Sequence, residues 1–176
     1  SQGWLRFANS LKIKALMRIS AKQDVSAELQ AIVDAGIYIK TNAENATYDF
    51  TDNQPNNFRM ASLRQGDFNI YVMSATMDQI MDRYADPRVS VFFRRADSDG
   101  YRGLLNGLDA SQSSITVSNY SFAGISFRES TGDLDANFIT AWETQFWLAE
   151  AALKGYISGD AQSFYQSGVE LAFEYW

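Results

Sequence analysis

Apolar and polar positions along this chain fall into three blocks, two periodic and one not. In residues 4–19, WLRFANSLKIKALMRI, apolar side chains recur three and four apart, the spacing of a helix that buries one face. That period puts Trp4, Ala8, Leu11, Ala15 and Ile19 on one stripe, widened by Leu5, Leu16 and Met17. Lys12, Lys14 and Arg18 fall opposite it or at its edges. A second helix follows in VSAELQAIVDAG (25–36), where Ser26 or Asp24 can cap the start and Gly36 offers a left-handed stop. Together they predict a helical hairpin over residues 1–36.

Periodicity then lapses. Residues 37–73 fill with Asn, Asp, Thr and Gln around Pro55. One helix is predicted near 76–85, where Thr76 and Gln79 have capping-box spacing, and it must end before Pro87, which disfavours helix in the residue preceding it. RVSVFF (88–93) alternates like a short strand, and SITVSNYSF (114–122) reads as a second. The rest, up to about residue 137, is rich in Gly, Ser, Asp and Asn; loops this long are uncommon in compact domains and often carry function. Helical pattern resumes near Ala136 and runs to Trp176, broken at GYISGDA (155–161). The fold class expected is therefore mainly α: hairpins over 1–36 and 138–176, with an irregular insert, 37–137, carrying one or two short β-strands.

The last hairpin has a recognisable repeat spacing. The tetratricopeptide pattern runs W-x2-L-G-x2-Y and then A-x3-F in the second helix. Leu148-Ala149-x2-Ala152 stands where L-G-x2-Y would fall, and Ala161, Tyr165 and Gly168 follow at offsets of twelve, sixteen and nineteen from Ala149. Small residues at those offsets let two antiparallel helices nest closely. Gln145 occupies the usual Trp position, and one repeat is visible.

Composition narrows the chemistry. The length, 176 residues, suits one ordinary domain, and 46% apolar with 20% charged residues marks a globular chain. Fifteen basic against twenty-one acidic residues give −6, so no basic face exists to displace counterions from nucleic acid. With neither Cys nor His there is no disulfide, thiolate nucleophile, Ser-His-Asp triad or common zinc site. Enzymatic chemistry would have to use carboxylates, Tyr, Lys or a hard metal ion. No apolar run reaches transmembrane length. Beginning at Ser1 and stopping in LAFEYW, the chain reads as a fragment or processed piece whose targeting information can have been removed.

Three segments taken together carry a family resemblance: WLRFANSLKIKALMRIS; ADPRVSVFF followed by YRGL; and WETQFWLAEAALKGYISGDAQSFYQSGVELAFEYW. Across nearly its whole length the chain resembles the SusD/RagB-like family of nutrient-binding outer-membrane lipoproteins. The resemblance implies tetratricopeptide-like helix pairs carrying irregular, ligand-binding loops. It also implies non-catalytic binding of an oligosaccharide or related nutrient, delivery to a SusC-like TonB-dependent transporter, a cell-surface location through a lipid anchor, and no cofactor. Family members run to several hundred residues, so the chain would cover a central-to-late portion of a larger domain. The lipidated N-terminal Cys and the helices expected after Trp176 are not in it.

No binding residue transfers by motif, so candidates come from chemistry and location. Tyr101, Tyr120 and Phe122 lie in polar, turn-rich sequence where a core demands little of them. Sugars offer apolar C–H faces to aromatic rings and hydroxyls to planar donors. All six basic residues between Met81 and Ser130 are Arg, and Tyr101-Arg102 forms a stacking and hydrogen-bonding pair. The competing role for these aromatics is to anchor loops to helices. Glu143 and Glu150, two turns or ~10.5 Å apart on one helix face, lie beyond the spacing of a glycosidase pair and read as capping or solvated residues. DSDGYRG (97–103) superficially matches a calcium loop but has Tyr101 and Leu108 at ligand positions, so an Asp-Gly turn is favoured. Trp4, Trp142 and Trp147 sit in helical pattern and are expected to pack. Two other functions stand beside nutrient binding: a tetratricopeptide-like protein-interaction module and, behind it, a carboxylate glycosidase.

Overall fold

The computed structural model describes residues 1–97, 100–109 and 115–176. Among these the chain forms α1 (Gln2–Ile19), α2 (Ser26–Ala35), α3 (Gln65–Phe68), α4 (Ala75–Arg83), α5 (Val89–Phe92), α6 (Ser126–Glu129), α7 (Ala141–Leu153) and α8 (Ala161–Tyr175), with short 3-10 turns between them. Two strands, β1 (Ala46–Asp49) and β2 (Asp135–Ile139), pair in one small sheet. The fold is mainly helical, as the periodicity predicts. Backbone contacts divide it into two compact units, Ser1–Tyr48 with Ala136–Trp176, and Asp49–Asp135.

The first unit is the helical one. Its core is built from Ile13 and Leu16 of α1, Val25 and Leu29 beside and on α2, and Leu148 and Ala151 of α7. Gly36 ends α2 at φ +65, donating its N–H to Ile32 and Val33, and the Asp24 carboxylate accepts the Ser26 N–H at 3.0 Å. The buried face of α1 keeps only Leu16 and Met17 of the stripe the pattern predicts. Ser10, Ile13, Leu16 and Met17 point inward, whereas Trp4 is 73% exposed and Leu11 and Ile19 are exposed beside it. This helix carries apolar residues on two faces, and periodicity cannot choose between them. A polar group settles it: the fully buried Ser10 hydroxyl accepts the Ile39 N–H at 2.9 Å.

α7 lies among its neighbours, packing on both α1 and α8. It starts at Ala141 because Thr140 accepts the Glu143 N–H while the Glu143 carboxylate accepts the Thr140 N–H, a capping box. The helical pattern expected from Ala136 therefore begins later, and residues 135–139 are β2 instead. Trp147 packs against both hydrophobic clusters of the unit, and Trp142 stacks on Tyr175 with centroids 4.7 Å apart. The expected packing role holds for these two tryptophans and fails for Trp4.

The α7–α8 pair nests where the repeat offsets place it. A Cβ built on Gly168 would stand 2.6 Å from the Phe146 ring, and Phe146 in turn meets Tyr165 at 5.5 Å. Glycine at this helical position is required by the neighbouring ring, not by backbone conformation.

The second unit departs most from the pattern. RVSVFF is not a strand: residues 89–92 make the single turn α5, because the Val89 N–H bonds back to the Asp86 carbonyl and the following amides continue that turn. Only Phe93 bridges, to Ala123. In SITVSNYSF, Ser114 lies outside the described residues; Val117–Asn119 is a 3-10 turn and Phe122 makes one bridge, to Val72. The helix expected near 76–85 is α4, capped not by Thr76 but by Ser74, whose hydroxyl accepts the Met77 N–H.

Replacing Gly168 with alanine tests the nesting of α7 on α8. Helix propensity alone would stabilise the variant by about 1 kcal/mol. Overpacking against Phe146 costs about 1–3 kcal/mol. Chemical denaturation should show a net loss of stability; a net gain would mean that the ring yields freely.

Candidate binding site

The second unit holds Tyr101-Arg102 in place through its backbone. Residues 121–124 are the hub: the Ser121 carbonyl accepts the Met73 N–H, Ala123 donates to Tyr71, Arg94 donates to Phe122, and Gly124 donates to Phe92. On the same hub, Ser121 donates its N–H to the Arg102 carbonyl, and its fully buried hydroxyl accepts the Arg102 N–H, each at 2.9 Å. The other side of the loop is tied to α4. Leu104 donates to Met73 and accepts from Ala75, and the Asp78 carboxylate accepts the Gly103 N–H at 2.9 Å. Gly103 lies so close to the Ser74 backbone that no side chain would fit. Tyr101 and Arg102 thus stand on a segment fixed at both flanks, with their side chains left over for other contacts.

Beside this segment lies a concavity of about 360 Å³. Tyr101 forms one wall, and Asp78, Met81, Asp82, Asp86 and Pro87 form much of the rest. Asp78, Met81 and Asp82 come from α4 at spacings that bring them to one face, and Asp86 and Pro87 follow in its exit. The exit turn is unusual, since Ala85 adopts φ +47, a left-handed conformation costly for any residue with a Cβ. Such positions persist where the surroundings over-determine them, often at functional sites. One determinant is visible. Arg88 grips Asp86 through two nitrogens, with Nη2 to Oδ2 at 2.6 Å and Nε to Oδ1 at 3.0 Å. These hydrogen bonds and the Arg88 backbone N–H hold the Asp86 carboxyl down at about 2.

The four candidates from the sequence occupy three settings. Tyr101 is half-buried at the concavity, with the Arg95 guanidinium over its ring at 5.7 Å. Arg102 is exposed and stacks on Tyr120 at 5.3 Å. Phe122 faces Arg94 at 5.1 Å, and Arg94 also covers the buried Phe68 while donating to Ala123 O and Asn69 Oδ1. The structure therefore brings Arg102 and Tyr120 together, sets Tyr101 next to them in the chain, and turns Phe122 toward a separate aromatic cluster. Sequence reasoning missed Met81 and Asp82. Their signal was the helix period of α4 running into ADPR, which places them on the face that meets Tyr101.

The glutamates of α7 have other partners. Glu143 is committed to the capping box, and Glu150 forms a surface ion pair with Lys154 at 2.6 Å. Of DSDGYRG, Ser98 and Asp99 lie outside the described residues. Among the described residues no helix is long and apolar enough to cross a membrane.

Comparison with known proteins matches residues 1–176 to the SusD-like family model described as "Starch-binding associating with outer membrane". No curated protein matches. Among solved structures, a SusD homologue from Bacteroides fragilis is similar at 25% identity and TM-score 0.81, over 99% of this chain and 41% of that one. A SusD homologue from Bacteroides vulgatus matches at 26% identity and TM-score 0.78, over 99% and 36%. A chitin-binding SusD homologue from Flavobacterium johnsoniae shares the fold at 24% identity and TM-score 0.70, over 98% and 35%. The chain spans about two fifths of the first of these structures and less of the other two.

The Asp86–Arg88 clasp has a defined pH window. Because the folded carboxyl sits at about 2, below its ordinary 3.8, its contribution is complete above pH ~4 and disappears as pH falls through about 2. Thermal melts of the parent and Asp86→Asn should differ at pH 5 and converge toward pH 2. A constant difference across that range would show that the clasp does not stabilise the fold.

Proposed function

Because this chain belongs to the SusD-like family, whose model spans all of it, we propose that it binds an oligosaccharide or related nutrient and releases it chemically unchanged. The observation that carries this reading is the half-buried Tyr101 ring walling a concavity of about 360 Å³. A pyranose C–H face stacks on such a ring, and the ring's fixed backbone lowers the entropy lost on binding. Arg102, stacked on Tyr120, supplies planar donors for hydroxyls on the exposed side of the same loop. Phe122, held by Arg94, seats the hub from which that loop hangs.

The wider role belongs to the same proposal. The chain would form part of a larger SusD-like domain at the outer-membrane surface, anchored by lipid, and would deliver its ligand to a SusC-like TonB-dependent transporter. Family membership supports this role, and the uptake itself requires no covalent step.

One observation favours the second reading, a protein-interaction module. The outer stripe of α1, with Trp4, Leu5, Leu11 and Ile19 exposed, is more apolar than a solvated helix face needs to be. The two readings separate on variants. A glycan array followed by calorimetry on the 176-residue chain should find a saccharide ligand. Tyr101→Ala should weaken it about tenfold or more, and Trp4→Ala should leave it unchanged. Absence of any saccharide ligand, or loss of binding with Trp4→Ala and not with Tyr101→Ala, would contradict saccharide binding at Tyr101.

A further inference from the structure

We propose that the α4 concavity selects saccharides by charge, admitting neutral and amino-bearing sugars and rejecting those that carry carboxylate or sulfate. The inference rests on the saccharide-binding reading above and adds the class of sugar.

Asp78 and Asp82, four apart, share one face of α4, and Asp86 reaches the concavity from the exit turn, so all three border it. No Lys or Arg is among its described lining residues. The three carboxylates are not equivalent. Asp86 is matched by Arg88, and the pair contributes little net charge. Asp78 accepts the Gly103 N–H, a bond that fixes its position and leaves its charge in place. Asp82 is exposed, and its carboxylate has no hydrogen-bond or ionic partner among the described residues. The second cation nearby, Arg95, stacks on the Tyr101 ring and does not line the concavity.

A sugar lying against Tyr101 thus meets Pro87, the edge of the largely buried Met81, and two carboxylates without a matching cation. Carboxylates accept hydrogen bonds from hydroxyls and pair with an ammonium group. They repel a uronate or a sulfate ester, which would lose its own hydration with no cationic side chain among the described lining residues to replace it. Tyr101 makes the site suit a saccharide; Asp78 and Asp82 set the charge it tolerates. The effect is electrostatic, at groups open to solvent, so salt must weaken it.

Calorimetry on the 176-residue chain with three tetrasaccharides tests this: chitotetraose, its fully deacetylated form, and tetragalacturonate. The deacetylated probe should bind at least tenfold more tightly than the galacturonate, with chitotetraose detectably bound. Raising NaCl from about 20 mM to about 500 mM should narrow that gap, as the screening length shrinks severalfold. Asp82→Lys, a surface change, should narrow or reverse it at low salt. If galacturonate binds as tightly as the other two, or if neither salt nor Asp82→Lys changes the ratio, charge selection is overturned while saccharide binding stands. If none of the three binds and the glycan array is also blank, the underlying reading falls and this inference with it.

Discussion

The helical unit depends on burying the N-terminus of α7 without leaving its amides unpaired. Thr140, Ala141 and Thr144 are essentially inaccessible, so water cannot serve the amides on the inner side of the first turn. Any helix start leaves several N–H groups without an intrahelical acceptor. Here side chains take up three amides at this start. Asn45 Oδ1 takes the Ala141 N–H at 2.7 Å, the Thr140 hydroxyl takes that of Glu143, and Glu143 returns its carboxylate to Thr140. An unpaired amide at this depth would cost about 1–3 kcal/mol. Once its end is satisfied, α7 can present Leu148 and Ala151 to the core and receive α8 on its other side. Glu143, which in isolation resembles a catalytic acid, is spent on this task.

The same economy of polar groups organises the second unit, where regular secondary structure is sparse. Four backbone segments meet at residues 121–124 through single bridges and paired amides, a construction too short to be a sheet. It succeeds because Gly103 and Gly124 allow backbone to touch backbone, and because the buried Ser121 uses its hydroxyl as an additional strand-like acceptor. Loops fixed in this way keep their side chains in place without burying them. That is what a binding surface for hydroxylated ligands requires, since affinity there is limited by the entropy of ordering the contacts.

Much of the scaffold was legible in the sequence, for physical reasons that also explain the failures. Gly36, and the offsets linking Ala149 to Ala161, Tyr165 and Gly168, express local geometry and were read correctly. The buried face of α1 is not fully readable, because apolar residues lie on two faces and the bond that marks the inner one, Ile39 N–H to Ser10, spans 29 positions. The pattern predicts helix from about Ala136, across most of β2, because the five residues DANFI carry too little period to outweigh the helix that follows. RVSVFF has strand alternation, yet the Asp86–Arg88 clasp and the Asp86 carbonyl turn it into α5. Of the candidate site, Tyr101, Arg102 and Tyr120 could be named from chemistry. Met81 and Asp82 have only the helix period of α4 as a signal, since it is the tertiary approach of α4 to the 101–104 segment that makes them neighbours of Tyr101.

The central claim is that saccharide binds against Tyr101 and the exposed face of α4, and a site-resolved measurement tests it most directly. Methyl-labelled methionine NMR provides one, because Met81 borders the concavity while Met17 belongs to the core of the helical unit. Titration with the tightest-binding saccharide should shift the Met81 methyl resonance along a saturating curve and leave Met17 where it is. Saturable binding with Met81 unmoved would place the ligand elsewhere and contradict the account.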